Sequence, residues 1–200
     1  VAGSTVSYLA AGTCTVTADQ AGDDDYNAAP QVTLDITVAK ADQVITDFIA
    51  TPANGDVGDM PVLSATGGAS GNPVTFGSNT LSVCTVSGNT VTLLTSGTCT
   101  VTADQAGNDD YNAATQVTLD IGVAKADQTI SGLAADPAAG VVDGSSSLSA
   151  TASSGLAVAF GSSTPGVCTV AGSTVSYLTA GTCTVTADQA GDDDYNAAPQ

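Results

Sequence analysis

Cysteine and aspartate are the residue types in this 200-residue chain whose spacing could do chemistry. Cys84 and Cys99 stand 15 positions apart, Cys168 and Cys183 repeat that interval, and the partner of Cys14 at the same interval would precede Val1. The chain has no His and no CxxC pair, so this register points to one disulfide per repeat rather than to a zinc site or a redox motif. The expected pairs are Cys84 with Cys99, Cys168 with Cys183, and Cys14 with a cysteine outside these residues; the alternative is a pair of small buried thiols. Closing such a loop is worth ~3 kcal/mol in the chain-entropy treatment. A structural disulfide implies an oxidising place, extracellular or at the cell surface.

The aspartates form the second set. Asp23, Asp24 and Asp25 lie in GDDDYNAA, Asp192, Asp193 and Asp194 lie in the same octapeptide, and Asp109 and Asp110 follow Asn108 in GNDDYNAA. In one reading these carboxylates, with Asn27 and Asp19, offer oxygens to a calcium ion near a domain junction. In the other they are turn formers and solvating charge. Consecutive carboxylates cannot all face one ion, and the spacing is not that of an EF-hand loop, which favours the acidic turn. Calcium is therefore a candidate ligand, and no cofactor is required. Tyr26, Tyr111 and Tyr195 follow the acids; each is expected to tuck its ring under the loop and tie its hydroxyl to backbone, an aromatic carbohydrate contact being the alternative.

Other chemistry is excluded by what is missing. Without His or Glu the usual general bases are absent, the cysteines are engaged in pairing, and the Asp distribution is too uniform for a tuned acid and base, so no enzyme is expected. No Gly-rich phosphate loop precedes a helix, and no His/Cys cluster would hold a transition metal. Twenty Asp against two Lys and no Arg give a net charge of −18. Nothing cationic could displace counterions from phosphates, which excludes nucleic acid, and an anionic membrane surface is equally unsuited. No apolar run approaches the ~20 residues of a membrane span. An isopeptide bond from Lys40 or Lys125 is not expected, since both sit at junctions and no Glu could assist.

The elements that must position these residues are written as a repeat. GTCTVTADQAG followed by the acidic run recurs near residues 12, 97 and 181, and VAKADQ recurs around Lys40 and Lys125. Residues 1–31 return as 170–200 with one change, Ala10 against Thr179, whereas 86–116 differ from 1–31 at eight positions, so two unit types alternate. The expected organisation is the end of one domain in 1–40, a complete domain in 41–125, and a domain lacking its last strand in 126–200. The chain thus reads as a window on a longer polymer, the alternative being a short chain with incomplete end domains.

Within 41–125 short alternating segments are broken by turn residues, and none carries apolar residues at helical spacing. DQVITDFI opens the unit, and PVLSAT and PVTFGS point Leu63, Ala65, Val74 and Phe76 inward. VCTVSGNTVTLL is expected to be a hairpin bent at Ser87, Gly88 and Asn89. CTVTA places Cys99, Val101 and Ala103 inward with Thr100 and Thr102 outward, and QVTLDIGV alternates Val117, Leu119, Ile121 and Val123 with Thr118, Asp120 and Gly122. Seven strands in about 85 residues is the density of an antiparallel sandwich.

SVCTVSGNTVTLLTSGTCTVTA resembles the bacterial immunoglobulin-like repeats of surface adhesins and invasin-type proteins, in which a V-A-T-V, turn, G-x-V-T, G-T-A-T-I-T-A pattern marks the fourth to sixth strands. The resemblance covers every unit and is strongest at G-T-x-T-V-T-A. Cys84 and Cys99 replace small alanines of that pattern, which supports their being close together. It implies all-β, tandem Ig-like β-sandwich domains of about seven strands with one intradomain disulfide per repeat, used as a stalk or display module. The expected function is a semi-rigid spacer in an extracellular bacterial fibre or adhesin stalk, its partners the neighbouring repeats. Two alternatives remain: a filament or sheath subunit in which identical chains associate laterally, and a calcium-dependent glycan-binding module.

Overall fold

A computed structural model describes residues 3–199, and every named element among them is a β-strand. Thr and Val fit a pleated surface, while Gly, Asn, Asp and Pro interrupt each segment before it could complete the turns of a helix. The first two strands, β1 (Gly12–Ala18) and β2 (Val32–Val38), form an antiparallel pair by themselves.

Residues 41–125 hold β3 (Thr46–Thr51), β4 (Asn54–Asp56), β5 (Val62–Thr66), β6 (Val74–Ser78), β7 (Cys84–Ser87), β8 (Thr90–Leu93), β9 (Gly97–Gln105) and β10 (Val117–Ala124). They make two four-stranded sheets in the orders β3-β5-β8-β7 and β4-β10-β9-β6. One apolar cluster joins them: Ala50, Leu63, Cys84, Val91 and Leu93 from the first sheet meet Cys99, Val101, Ile121 and Val123 from the second. At its margin Phe48 and Phe76 stack with ring centroids 5.7 Å apart. With so few large side chains, the bond between Cys84 and Cys99 matters: it ties β7 of one sheet to β9 of the other, with Cα atoms 5.6 Å apart.

Three details differ from the sequence reading. The unit has eight strands rather than seven, because Asn54–Asp56 adds a parallel strand on β10. The β7–β8 turn is tighter than expected, since Ser87 pairs with Thr90 and only Gly88 and Asn89 bend. Gly88 has φ 61°, the left-handed value that the first central residue of a II′ turn needs. Thr102 is buried rather than outward on a wetted face, since central strand β9 sets it between Gly77 of β6 and Thr118 of β10.

Residues 126–199 repeat much of this plan with β11 (Ile130–Asp136), β12 (Ser145–Ala152), β13 (Ala159–Ser162), β14 (Cys168–Ala171), β15 (Thr174–Tyr177) and β16 (Val185–Asp188). The order β11-β12-β15-β14 matches β3-β5-β8-β7, and β13-β16 matches β6-β9. Cys168 and Cys183 are bonded, again with Cα atoms 5.6 Å apart. A cavity of about 540 Å³ beside these strands is lined by Gly140, Val141, Gly181, Cys183 and Val185 among others. Both segments also share a bulge early in the first strand, where the register shifts between Thr46 and Ile49 and between Ser131 and Ala134. The left-handed residue there is Asp47 (φ 53°) in one and Gly132 (φ 68°) in the other.

Candidate functional site

The acidic loops and the VAKADQ connections come together, and the same contacts form twice. Each loop is built locally. The glycine that opens it lies against the tyrosine backbone: a Cβ on Gly107 would stand 2.3 Å from the carbonyl oxygen of Tyr111. The next residue closes the turn with its own side chain. Asn108 Oδ1 accepts from the backbone N–H groups of Asp110 and Tyr111, both at 2.9 Å. Asp192 Oδ1 accepts equivalently from Asp194 and Tyr195, and Asp23 Oδ1 from Asp25 and Tyr26. An amide oxygen serves as well as a carboxylate in this Asx-type turn, which explains why Asn and Asp interchange there.

The connecting segment is then clamped onto the loop. Ala41 bridges Tyr111 and Ala126 bridges Tyr195 in parallel fashion. Ala41 N–H donates to the carbonyl of Asp110 at 2.8 Å while Asn112 N–H donates back to Ala41; Ala126, Asp194 and Asn196 do the same. Lys40 Nζ donates to the Asn108 carbonyl and Lys125 Nζ to that of Asp192. Both lysines of the chain are therefore held by backbone oxygens within the acidic loops. Asn112 and Asn196 complete the clamp through Asp42 and Asp127, at 2.8 Å each.

Beneath the clamp lie buried glutamines that sequence reasoning missed. Gln43 Nε2 donates to the carbonyls of Ala106 and Asn112, and its Oε1 accepts from Ser70 N–H. Gln105 Nε2 donates to the carbonyls of Gly68 and Asn72, and its Oε1 accepts from Gly68 N–H. In the next copy Gln128 donates to Gln189 Oε1 and the Asn196 carbonyl and accepts from Ser154. A buried amide left unpaired is costly, so these networks fix the loop and the connection as one body. The available signal was the tripeptide ADQ, present both in VAKADQ and after TVT.

The predicted site residues separate into distinct roles. Asp110 and Asp194 point away from their own turns: Oδ1 of each accepts a backbone N–H from the preceding segment, Ala11 at 2.7 Å and Ser96 at 2.8 Å. Asp23 and Asp192 fold back on their own loops. Asp24, Asp109 and Asp193 contribute no side-chain hydrogen bond, nor does Asp25, although Asp193 receives the Ser96 hydroxyl on its carbonyl. The carboxylates thus diverge, and among the described residues no group of three or more His, Cys, Asp or Glu is placed to hold a metal ion. The tyrosines act through their backbone, not through the expected hydroxyl bond. Tyr111 and Tyr195 are half-buried, whereas Tyr26 is 76% exposed. Cys14, half-buried in β1, has no disulfide partner among the described residues, and the pairing expected for it falls outside them. No helix among the described residues is long and apolar enough to cross a membrane.

This arrangement can hold consecutive segments in place. It defines an all-β protein with two disulfides, one across the sheets of 41–125. No protein-family model matches the chain, and no curated protein matches it. Among solved structures, it is similar to the crystal structure of the S-layer protein rSbsC(31-844), with 14% identity and a TM-score of 0.31. That match covers 88% of this chain and 33% of the other, so the chain spans about a third of that protein's length.

Proposed function

We propose that the chain is a structural array of Ig-like sandwich domains, serving as a semi-rigid spacer in an extracellular bacterial fibre or adhesin stalk. One complete domain occupies 41–125, flanked by parts of equivalent domains in 1–40 and 126–200. The carrying observation is the pinned connection. Strand β2 ends at Val38 and the next pinned residue is Ala41; strand β10 ends at Ala124 and the next is Ala126. A link of one or two residues, anchored on both sides, leaves neighbouring domains few relative orientations. The disulfides support an oxidising, extracellular location. The biological output is then distance and stiffness, with no catalysis and no required cofactor.

Small-angle scattering on chains of two, four and eight repeats tests this. The maximum dimension is expected to grow linearly with repeat number, by roughly 30–40 Å per repeat at ~3.3 Å per strand residue. Growth as the square root of repeat number, the behaviour of a flexible string, overturns the reading.

A further inference from the structure

We infer that the third acidic position of each loop is an interdomain latch: the carboxylates of Asp110 and Asp194 grip the backbone N–H that precedes the strand starting Gly-Thr in the repeat before, at Ala11 and Ser96. This deepens the spacer reading and rests on it, since a latch between repeats presupposes that the repeats are consecutive domains.

Several observations converge on the latch. The contact occurs twice, at the same repeat position, across about a hundred residues of sequence, and Asp stands at that position in all three loops. Ala11 and Ser96 each sit immediately before a strand start, Gly12 and Gly97, where the ladder does not satisfy their N–H groups. An ionised carboxylate is the strongest acceptor that such a donor can find in a side chain. The latch residue is also aimed in advance. Its N–H is held by the first loop position and its carbonyl by Ala41 or Ala126, so its backbone is already fixed when the side chain meets the preceding repeat, which lowers the ordering cost. The acidic run thereby divides its labour: the first residue shapes the turn, where Asn suffices, and the third reaches across.

The two latches are unequal. Ser96 adds a second bond from its hydroxyl to the Asp193 carbonyl at 2.6 Å, which Ala11 cannot make. Ala11 and Ser96 occupy one of the eight positions at which the alternating unit types differ. Firmer and looser junctions therefore alternate along the array.

Amide hydrogen exchange by NMR on the whole 200-residue chain reads the latch directly. Asp194→Ala is expected to speed exchange of the Ser96 amide about tenfold or more, and Asp110→Ala to do the same for Ala11. Asp194→Asn, which keeps an acceptor oxygen, retains most of the protection. Ser96→Ala gives a smaller loss, about threefold on the scale of one weaker neutral bond. Ala180 occupies the same repeat position with no acidic loop bonded to it, and its rate is expected to be fast and unchanged in every variant.

The wild-type chain supplies a second readout that no misfolded variant can confuse: a scalar coupling across the hydrogen bond between the Ser96 nitrogen and the Asp194 carboxylate carbon. Its absence overturns the latch, as does a Ser96 amide that exchanges as fast as Ala180 in the wild type. Linear growth in the scattering series with an unprotected Ser96 sinks the latch alone; a protected Ser96 with square-root growth sinks the spacer reading alone.

Discussion

Strands β1 and the first seven residues of β9 have the same sequence, GTCTVTA, and opposite fates. In β9, Cys99, Val101 and Ala103 are wholly buried; in β1, Cys14 and Val16 are half-buried and Ala18 is exposed. Yet the two strands pair in the same register. Cys14 faces Ile36 as Cys99 faces Ile121, Val16 faces Leu34 as Val101 faces Leu119, and Ala18 faces Val32 as Ala103 faces Val117. Even the cross-strand hydroxyl–carboxylate pair persists, Thr15 with Asp35 and Thr100 with Asp120. Pairing is thus a property of the hairpin and its loop, whereas burial needs an opposing sheet such as β3-β5-β8-β7; among the described residues no named sheet packs across β1 and β2. Their apolar face stays open, with Val32 66% and Leu34 62% exposed.

The largest test of this contrast is truncation at matched positions. Ile121→Ala is expected to destabilise by about 2–5 kcal/mol, because it removes wholly buried methylenes and leaves a cavity. Ile36→Ala, at the same register position, is expected to cost less than ~1 kcal/mol; urea titration followed by near-ultraviolet circular dichroism compares them, and equal losses break the comparison. Replacing Cys84 and Cys99 together by Ala comes next, at about 3 kcal/mol. Thiol titration of the denatured, unreduced chain is expected to find Cys84, Cys99, Cys168 and Cys183 unreactive.

Buried amides sharpen the contrast further. Gln105→Ala strands the N–H of Gly68 and the carbonyls it shares, an expected loss of roughly 1–3 kcal/mol. Gln20, its counterpart after β1, is exposed, and Gln20→Ala is expected to leave thermal unfolding unmoved. The smallest effect separates the two bulges. Asp47→Gly, which copies Gly132 into the left-handed position of β3, is expected to raise stability by a few tenths of a kcal/mol, the relief of φ strain being partly offset by chain entropy. A clear loss would mean that the bond from Thr46 to the Asp47 carboxylate outweighs the strain.

Much of the fold was legible because its signals are local. Alternation in CTVTA and VTLDIGV needs only the period of a strand, and the bend of β7–β8 needs only Gly88 with Asn89. Strand β4 was not legible, because Asn54-Gly55-Asp56 is written in turn residues and becomes a strand only through parallel pairing with β10. Gln43, Gln105 and Gln128 were passed over because glutamine reads as surface; only their amide partners, drawn mostly from loops distant in sequence, show that they are interior. The acidic run was recognised as turn-forming, but nothing in three successive letters says that the first carboxylate bends inward and the third outward.

By itself, then, the amino-acid order determined strand periodicity, hairpin register, the Asx turns and the spacing at which sulfurs could meet, since each depends on contacts within a hairpin or a few residues. The assembled structure alone decided which glutamines lose water and which carboxylate reaches the neighbouring segment. Those outcomes depend on surfaces far apart in sequence, whose free energy exists only once the sheets and the connection have closed around them.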